Sequence, residues 1–215
     1  SSPNTNKPLH LGHLRNIFLG DSVSKIYKSL GYKVHKVQII NDRGIHICKS
    51  MVAWKRYGND KSPDTERIKG DKFVGDYYVK FELEHKKEVH DLIKKGVSEV
   101  DAVKKSSLMK EAKSFLRKWE VGDKDIIKLW KKMNGWVYDG FDSTYRSINV
   151  SFDKNYFESE TYLLGKKNIE DGILKNIFYR EEDKSVWIDL SNENFDKKLL
   201  LRSDGTSVYM TQDIG

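Results

Sequence analysis

One cysteine, Cys48, stands in the 215-residue chain. A lone thiol excludes an intramolecular disulfide and fits a reducing compartment, so a cytoplasmic protein is expected. No apolar run approaches the roughly 20 residues that a membrane-spanning helix needs, which argues against a membrane protein. No segment has the make-up of a signal peptide. Internal repeats and low-complexity tracts are lacking too. At this length the chain reads as one large domain, or as a domain carrying an inserted smaller one.

What is present is charge. Lysine and arginine total 39 against 32 aspartate and glutamate, a net charge of +7, which fits a polyanionic partner. Between Lys86 and Lys118, ten basic residues stand against five acidic ones. The ordinary reading of such a run is a solvated helix face. The hydrophobic share of 38% is that of a soluble globular chain rather than a disordered one.

His10-Leu11-Gly12-His13 places two imidazoles three residues apart, just after Pro8. A helix starting near Pro8 or Leu9 would put both rings on one face of its first turn. Unpaired backbone N–H groups and the positive dipole end would point the same way. Together with Lys7 these groups suit a polyphosphate, and Gly12 leaves room for a flat ring against the backbone. The alternatives are surface polarity or half of a metal site. A zinc site would want further ligands, and His35 and His46 show no such pairing, while His85 and His90 have only a common spacing.

From Leu11 to Leu30 the apolar residues recur at helical spacing and predict a helix. Gly31 is a natural stop. Tyr32 to Ile40 predicts a strand, and Asn41-Asp42-Arg43-Gly44 a loop at its carboxyl end. Ligands of open α/β sheets bind there, which makes Asn41, Asp42 and Gly44 candidates for lining a site. Asn59 to Gly70 is the best linker into an insertion. Ser98 predicts a cap for a helix carrying Leu108, Ala112, Phe115 and Trp119, and a long stripe runs from Ile126 to Ile148. His85 falls within a core stripe. Near the end, Ser185 to Leu190 reads as a strand, and Leu199–Arg202 with Ser207–Thr211 as a hairpin turning at Asp204-Gly205. The chain begins without methionine, directly on a motif, and is therefore expected to be a fragment of a longer protein.

Taken together, S-S-P-N-x-x-K-P-L-H-L-G-H-L-R and S-D-G-T-S-V-Y-M-T-Q-D-I-G resemble the arginyl-tRNA synthetase family over essentially the whole chain. The resemblance implies an α/β fold: a Rossmann-like parallel-sheet class I synthetase catalytic core with a helical insertion and a small α+β insertion. Expected boundaries are 1–60 for the first half of the core, 61–120 for the helical insertion and 121–160 for the return to the core. Residues 161–207 are the expected second insertion and 208–215 the final core segment. The implied reaction activates L-arginine with ATP and Mg2+ and transfers it to the 3'-terminal ribose of tRNA(Arg). By likeness, His10, His13 and Lys7 are catalytic; Lys7, His10, Gly12 and His13 bind ATP. Ser2, Asn4, Tyr209 and Asp213 bind arginine. No metal ligand is assigned to the chain itself. The longer protein is expected to be a monomer, and the fragment inactive alone. Asn41-Asp42-Arg43-Gly44 stands where many members have Gly-Asp-Trp-Gly, leaving the role of Asp42 open. A non-catalytic RNA-binding paralogue and a nucleotidyltransferase are the competing readings.

Overall fold

Helix α1 (Leu11–Ser29) is closed by two backbone hydrogen bonds that return to its last turn. The Tyr32 N–H donates to the Tyr27 carbonyl and the Gly31 N–H to that of Lys28, with Gly31 at φ 86°. This is a Schellman closure. Its expected apolar contact is the edge-on packing of Tyr27 against Tyr32, with ring centroids 5.5 Å apart. Tyr32 is therefore spent on ending the helix. Strand β1 is only Val37–Ile40, shorter than the run of β-branched residues predicts. Asp21 of α1 binds Lys36 at 3.0 Å and fixes the helix to the approach of that strand.

The computed structural model describes residues 2–203, 205 and 208–215, apart from the side chains of Tyr209 and Gln212. Two compact units divide it, residues 1–155 and 156–215. In the first unit, β1 pairs with the start of β2 (Lys154–Phe157). The Asp153 N–H donates to the Lys36 carbonyl at 2.7 Å. Between the two strands come α2 (Ile45–Tyr57), α3 (Pro63–Glu66), α4 (Gly70–Lys94), α5 (Glu99–Lys105), α6 (Ser107–Glu120) and α7 (Lys124–Ser147). Helix α2 is the hub, since α4, α6 and α7 all pack on it. Met51, Val52 and Ala53 are accordingly fully buried, as are Phe81 of α4, Ala112 of α6 and Val137 of α7. Full burial of each large apolar side chain contributes on the order of 1.5–3 kcal/mol.

The α1 stripe is largely exposed. Leu11, Phe18, Leu19, Val23, Ile26 and Leu30 are 48–83% exposed, and only Ile17 and Asp21 of the helix are buried. Periodicity identifies the helix correctly, and among the described residues of the first unit no element covers that face. Ser98 caps only the short α5. Ser106 starts α6 anew, its hydroxyl accepting the Met109 N–H.

In the second unit, α8 (Glu158–Leu174) lies with an antiparallel sheet of β3 (Tyr179–Arg180), β4 (Val186–Ile188) and β5 (Lys198–Leu201). Tyr179 pairs with Trp187 and Val186 with Leu201. Ile169, Val186, Leu200 and Leu201 form its core. The hairpin expected after β5 does not form its second strand: Tyr209–Ile214 is helix α9. Thr211 explains the change. Its hydroxyl accepts the Val208 N–H at the helix start and donates to the Leu200 carbonyl. Met210 and Ile214, four residues apart, then pack on the β-sheet core. Asp204, Thr206 and Ser207 of the expected turn lie outside the described residues.

The α4–α6 corner rests on Glu88. Its carboxylate accepts the Ser106 hydroxyl at 2.7 Å and the Ser107 and Leu108 N–H groups at 2.6 and 3.2 Å. Buried His85 shares Ser106 through Nδ1 at 2.8 Å. Burial pushes the Glu88 pKa up, but these hydrogen bonds outweigh it and hold it at about 2, against 4.5 ordinarily. A depressed carboxyl stabilises the fold above its unfolded pKa and loses that contribution as pH falls from about 4.5 to about 2. Glu88→Gln should therefore melt at lower temperature at neutral pH, with the difference from the parent chain shrinking over that acid window. Parallel melting curves across the window would show that the carboxylate does not brace the corner.

Candidate active site

The site begins where two chain segments run side by side. Asn4 bridges Asn41 in parallel; the Thr5 N–H donates to the Asn41 carbonyl at 3.0 Å and the Asn41 N–H to the Pro3 carbonyl at 2.9 Å. Each segment then leads into a helix. After Thr5 comes Lys7 and α1; after Asn41 comes Gly44, at φ 104°, and α2. Neither helix has an acidic residue in its first turn, so the positive ends of both dipoles are left uncompensated.

The loop after β1 braces the site from behind. Asp42 is 1% exposed. Its carbonyl accepts Trp130 Nε1 at 2.6 Å and Asn134 Nδ2 at 3.2 Å, while its carboxylate accepts the Tyr138 hydroxyl at 3.0 Å. All three donors come from α7. Arg43 is also buried, 3.1 Å from Glu120 and stacked over Trp119. The candidate role of Asp42 in lining a ligand site is thus replaced by an anchoring one, because α7 engages both its carbonyl and its carboxylate.

His10 and His13 form the centre. Helix α1 starts at Leu11, not at Pro8 or Leu9, and His10 is its N-cap, with extended backbone at φ −124°. The Gly12 N–H donates to His10 Nδ1 at 3.1 Å, and the His10 N–H to His13 Nδ1 at 3.2 Å. The H-x-x-H spacing is therefore that of a capping box, with imidazoles in place of the usual hydroxyl and carboxylate. Backbone donors that the sequence assigned to a ligand are consumed here. Something more useful takes their place. A neutral imidazole whose Nδ1 accepts must carry its proton on Nε2, so both rings retain an Nε2–H donor.

The rings lie against one another at a tilt of 38°, with centroids 3.9 Å apart. Burial, His10 and the Lys7 charge lower the His13 pKa below the ordinary histidine value, which keeps that ring neutral at neutral pH. Gly12 permits the cap: a Cβ there would stand 3.1 Å from His10 Cε1. Gly75 of α4 permits a second close approach, since its Cβ would meet Pro8 Cδ at 2.9 Å and Lys7 Cα at 3.4 Å. Helix α4 thus backs the Lys7–Pro8 segment.

Lys7, His10, Gly12 and His13 come together in the first unit, with Asn4 half-buried and Ser2 exposed at φ 50° on the segment before them. Tyr209 and Asp213 lie one helical turn apart on α9 of the second unit. Asp213 is exposed; the Tyr209 side chain is outside the described residues. His46, given no role from sequence, occupies the first turn of α2, where its Nδ1 lies 3.1 Å from the Tyr78 hydroxyl. Its place two residues after the glycine that caps α2 was the available signal. Among the described residues no three His, Cys, Asp or Glu side chains are grouped to hold a metal ion.

The profile of class I tRNA synthetase (R) catalytic domains matches residues 1–215. The arginine–tRNA ligase of Parabacteroides distasonis is 57% identical over 215 residues, and that of Amoebophilus asiaticus 55%. Each is matched by all of this chain, which spans about 36% of their length. Among solved structures, Thermus thermophilus arginyl-tRNA synthetase is similar over 99% of this chain and 33% of its own, with TM-score 0.67 and 25% identity. The Plasmodium falciparum enzyme shares the fold at TM-score 0.67 and 20% identity, over 99% of this chain and 32% of its own.

The double cap predicts one tautomer. In 15N-histidine NMR spectra, the neutral rings of His10 and His13 should both show protonated Nε2 and bare Nδ1, with His13 titrating below the ordinary value. Gly12→Ala should disturb the His10 ring first. Protonated Nδ1 on either ring would disprove the reciprocal cap.

Proposed function

The chain belongs to the class I tRNA synthetase (R) catalytic-domain family, and from that premise we propose that its parent activates L-arginine with ATP and charges tRNA(Arg). The arginine carboxylate attacks the α-phosphorus of ATP, pyrophosphate leaves, and arginyl-adenylate forms. The 3'-terminal ribose hydroxyl of the tRNA then attacks the arginyl carbonyl, and AMP leaves. Such charging belongs to translation, so the cytoplasm is the expected compartment. The activity is proposed for the whole parent protein, because this chain spans about 36% of the length of the curated relatives it matches.

One observation carries the reading: two adjacent imidazoles each accept a backbone N–H at Nδ1, which leaves Nε2 of the neutral ring to donate. During adenylation, negative charge spreads over the phosphate oxygens, and donors held in place beforehand stabilise it. Lys7 adds a permanent positive charge beside them. The donor set of imidazoles and ammonium suits phosphate oxygens rather than a cation. Mg2+ would accordingly arrive on the nucleotide's own oxygens and help neutralise them. Asn4, which forms the parallel bridge to Asn41, and Ser2 are assigned to the amino and carboxylate groups of arginine. Tyr209 and Asp213 are assigned to its guanidinium. A carboxylate is the natural two-pronged partner of that fork, and would discriminate against neutral amino acids.

Arginine-dependent ATP–pyrophosphate exchange by the full-length parent with its tRNA is the expected activity; its absence from folded protein would refute the proposal in favour of a non-catalytic RNA-binding role. His13→Glu keeps a side chain that can cap the helix but removes the imidazole donor. Its exchange rate should fall on the order of 100- to 1,000-fold while the helix content holds. A rate near that of the parent would remove His13 from the chemistry. Asp213→Ala should raise the KM for arginine far more than that for ATP, whereas equal changes would mark a structural carboxylate.

A further inference from the structure

We propose that His46, held by Tyr78, is a third imidazole on the phosphate side of the Lys7–His10–His13 site and positions the nucleotide's polyphosphate. The inference rests on the activity proposed above and extends the same site to residues that the H-x-x-H motif does not contain.

The geometry comes from three elements. Helix α4 meets the Lys7–Pro8 segment at Gly75, where a Cβ would stand 2.9 Å from Pro8 Cδ. Tyr78 is three residues further on, hence on the same side of α4. Its hydroxyl lies 3.1 Å from His46 Nδ1, and the two rings meet edge-on with centroids 5.8 Å apart. His46 itself stands in the first turn of α2, at the carboxyl end of β1, where the Asn41–Asn4 bridge aligns the two chain segments. The ring is thus tied at one nitrogen, exposed to solvent, and set at an uncompensated helix N-terminus.

Tyr78 is itself supported. Lys49, one residue short of a full turn beyond His46, binds Glu82 at 2.7 Å, and its ammonium lies 5.9 Å from the Tyr78 ring centroid. Glu82 follows Tyr78 by four residues, so α2 and α4 are clamped together beside the imidazole. Burial, then the charges of Lys49 and Lys7, lower the His46 pKa, with Glu82 opposing them. The Lys7 charge also lowers the His13 pKa. One ammonium therefore acts on both imidazoles. A polyanion bound at Lys7 would meet His10 and His13 from α1 and His46 from α2, a clamp from two helix starts.

The test uses the full-length parent, first shown to carry out arginine-dependent exchange. His46→Ala should raise the KM for ATP on the order of 10- to 100-fold, the worth of one hydrogen bond to a charged group. The KM for arginine should change by less than about twofold. His46→Gln, which keeps a polar nitrogen at a similar reach, should recover most of the loss, and Tyr78→Phe should show a smaller defect of the same kind. As a readout independent of turnover, the His46 15N resonances should move with inorganic pyrophosphate but not with arginine alone. Equal KM changes for both substrates, no rescue by glutamine, or resonances indifferent to pyrophosphate would overturn the proposal. Those results would be seen in an active enzyme, so they leave arginine activation standing; absent exchange in the unaltered parent would instead strike the activity itself.

Discussion

Two backbone hydrogen bonds, from Thr5 to Asn41 and from Asn41 to Pro3, align the two segments from which the site is built. In a parallel arrangement both segments end at the same edge, and the helices that follow them start there together. Lys7, His10 and His13 lead into α1, while Gly44 and His46 open α2. Remove the alignment and the two helix starts lose their common origin. The rest of the first unit serves to hold it: α7 binds Asp42 through Trp130, Asn134 and Tyr138, and α4 presses Gly75 against Pro8. Helix packing on α2 thus becomes positional accuracy at the site, because each brace ends within a few residues of a chemical group.

The same atoms meet a folding need and a chemical one. A helix start leaves its first N–H groups without intrahelical partners. Serine or aspartate at the N-cap would satisfy one of them and offer nothing further. Histidine differs in having two nitrogens. Nδ1 of His10 and of His13 takes up a backbone N–H, and the tautomer this enforces delivers a proton to Nε2 on each ring. The cap therefore sets the direction of the hydrogen bonds that the site can make. Gly12 is part of that arrangement, since the folded-back His10 ring occupies the space a Cβ would need.

Much of this was legible in the sequence, and the failures have definite causes. The H-x-x-H spacing identified the right residues but the wrong first helical residue, since imidazole is an unusual cap and Pro8 a tempting helix start. Asp42 looked like a ligand-facing residue because loops after strands often are. Its actual partners lie about 90 residues away in α7, a separation that no local pattern encodes. The α1 periodicity marks the helix, but spacing says which residues share a face, not what covers it. Thr211 turned an expected strand into α9 through a bond to Leu200, again a tertiary choice over local propensity. His46 has no second histidine at a telling spacing, its place just after the glycine that caps α2 is the one local signal, and its partner Tyr78 is 32 residues away.

The charge state of the site follows from its crowding. Two imidazolium rings with centroids 3.9 Å apart would repel one another, and Lys7 adds a third positive charge beside them. Burial works in the same direction on His13. The arrangement therefore favours the neutral form of His13, which donates from a fixed position, with Lys7 and the two helix dipoles supplying the positive potential. Neutral donors have an advantage here: they stabilise charge that develops on a phosphate without first attracting a surplus of solvent counter-ions. Their orientation is set by the helix cap before any ligand binds, so little reorganisation is left for the moment when charge builds up.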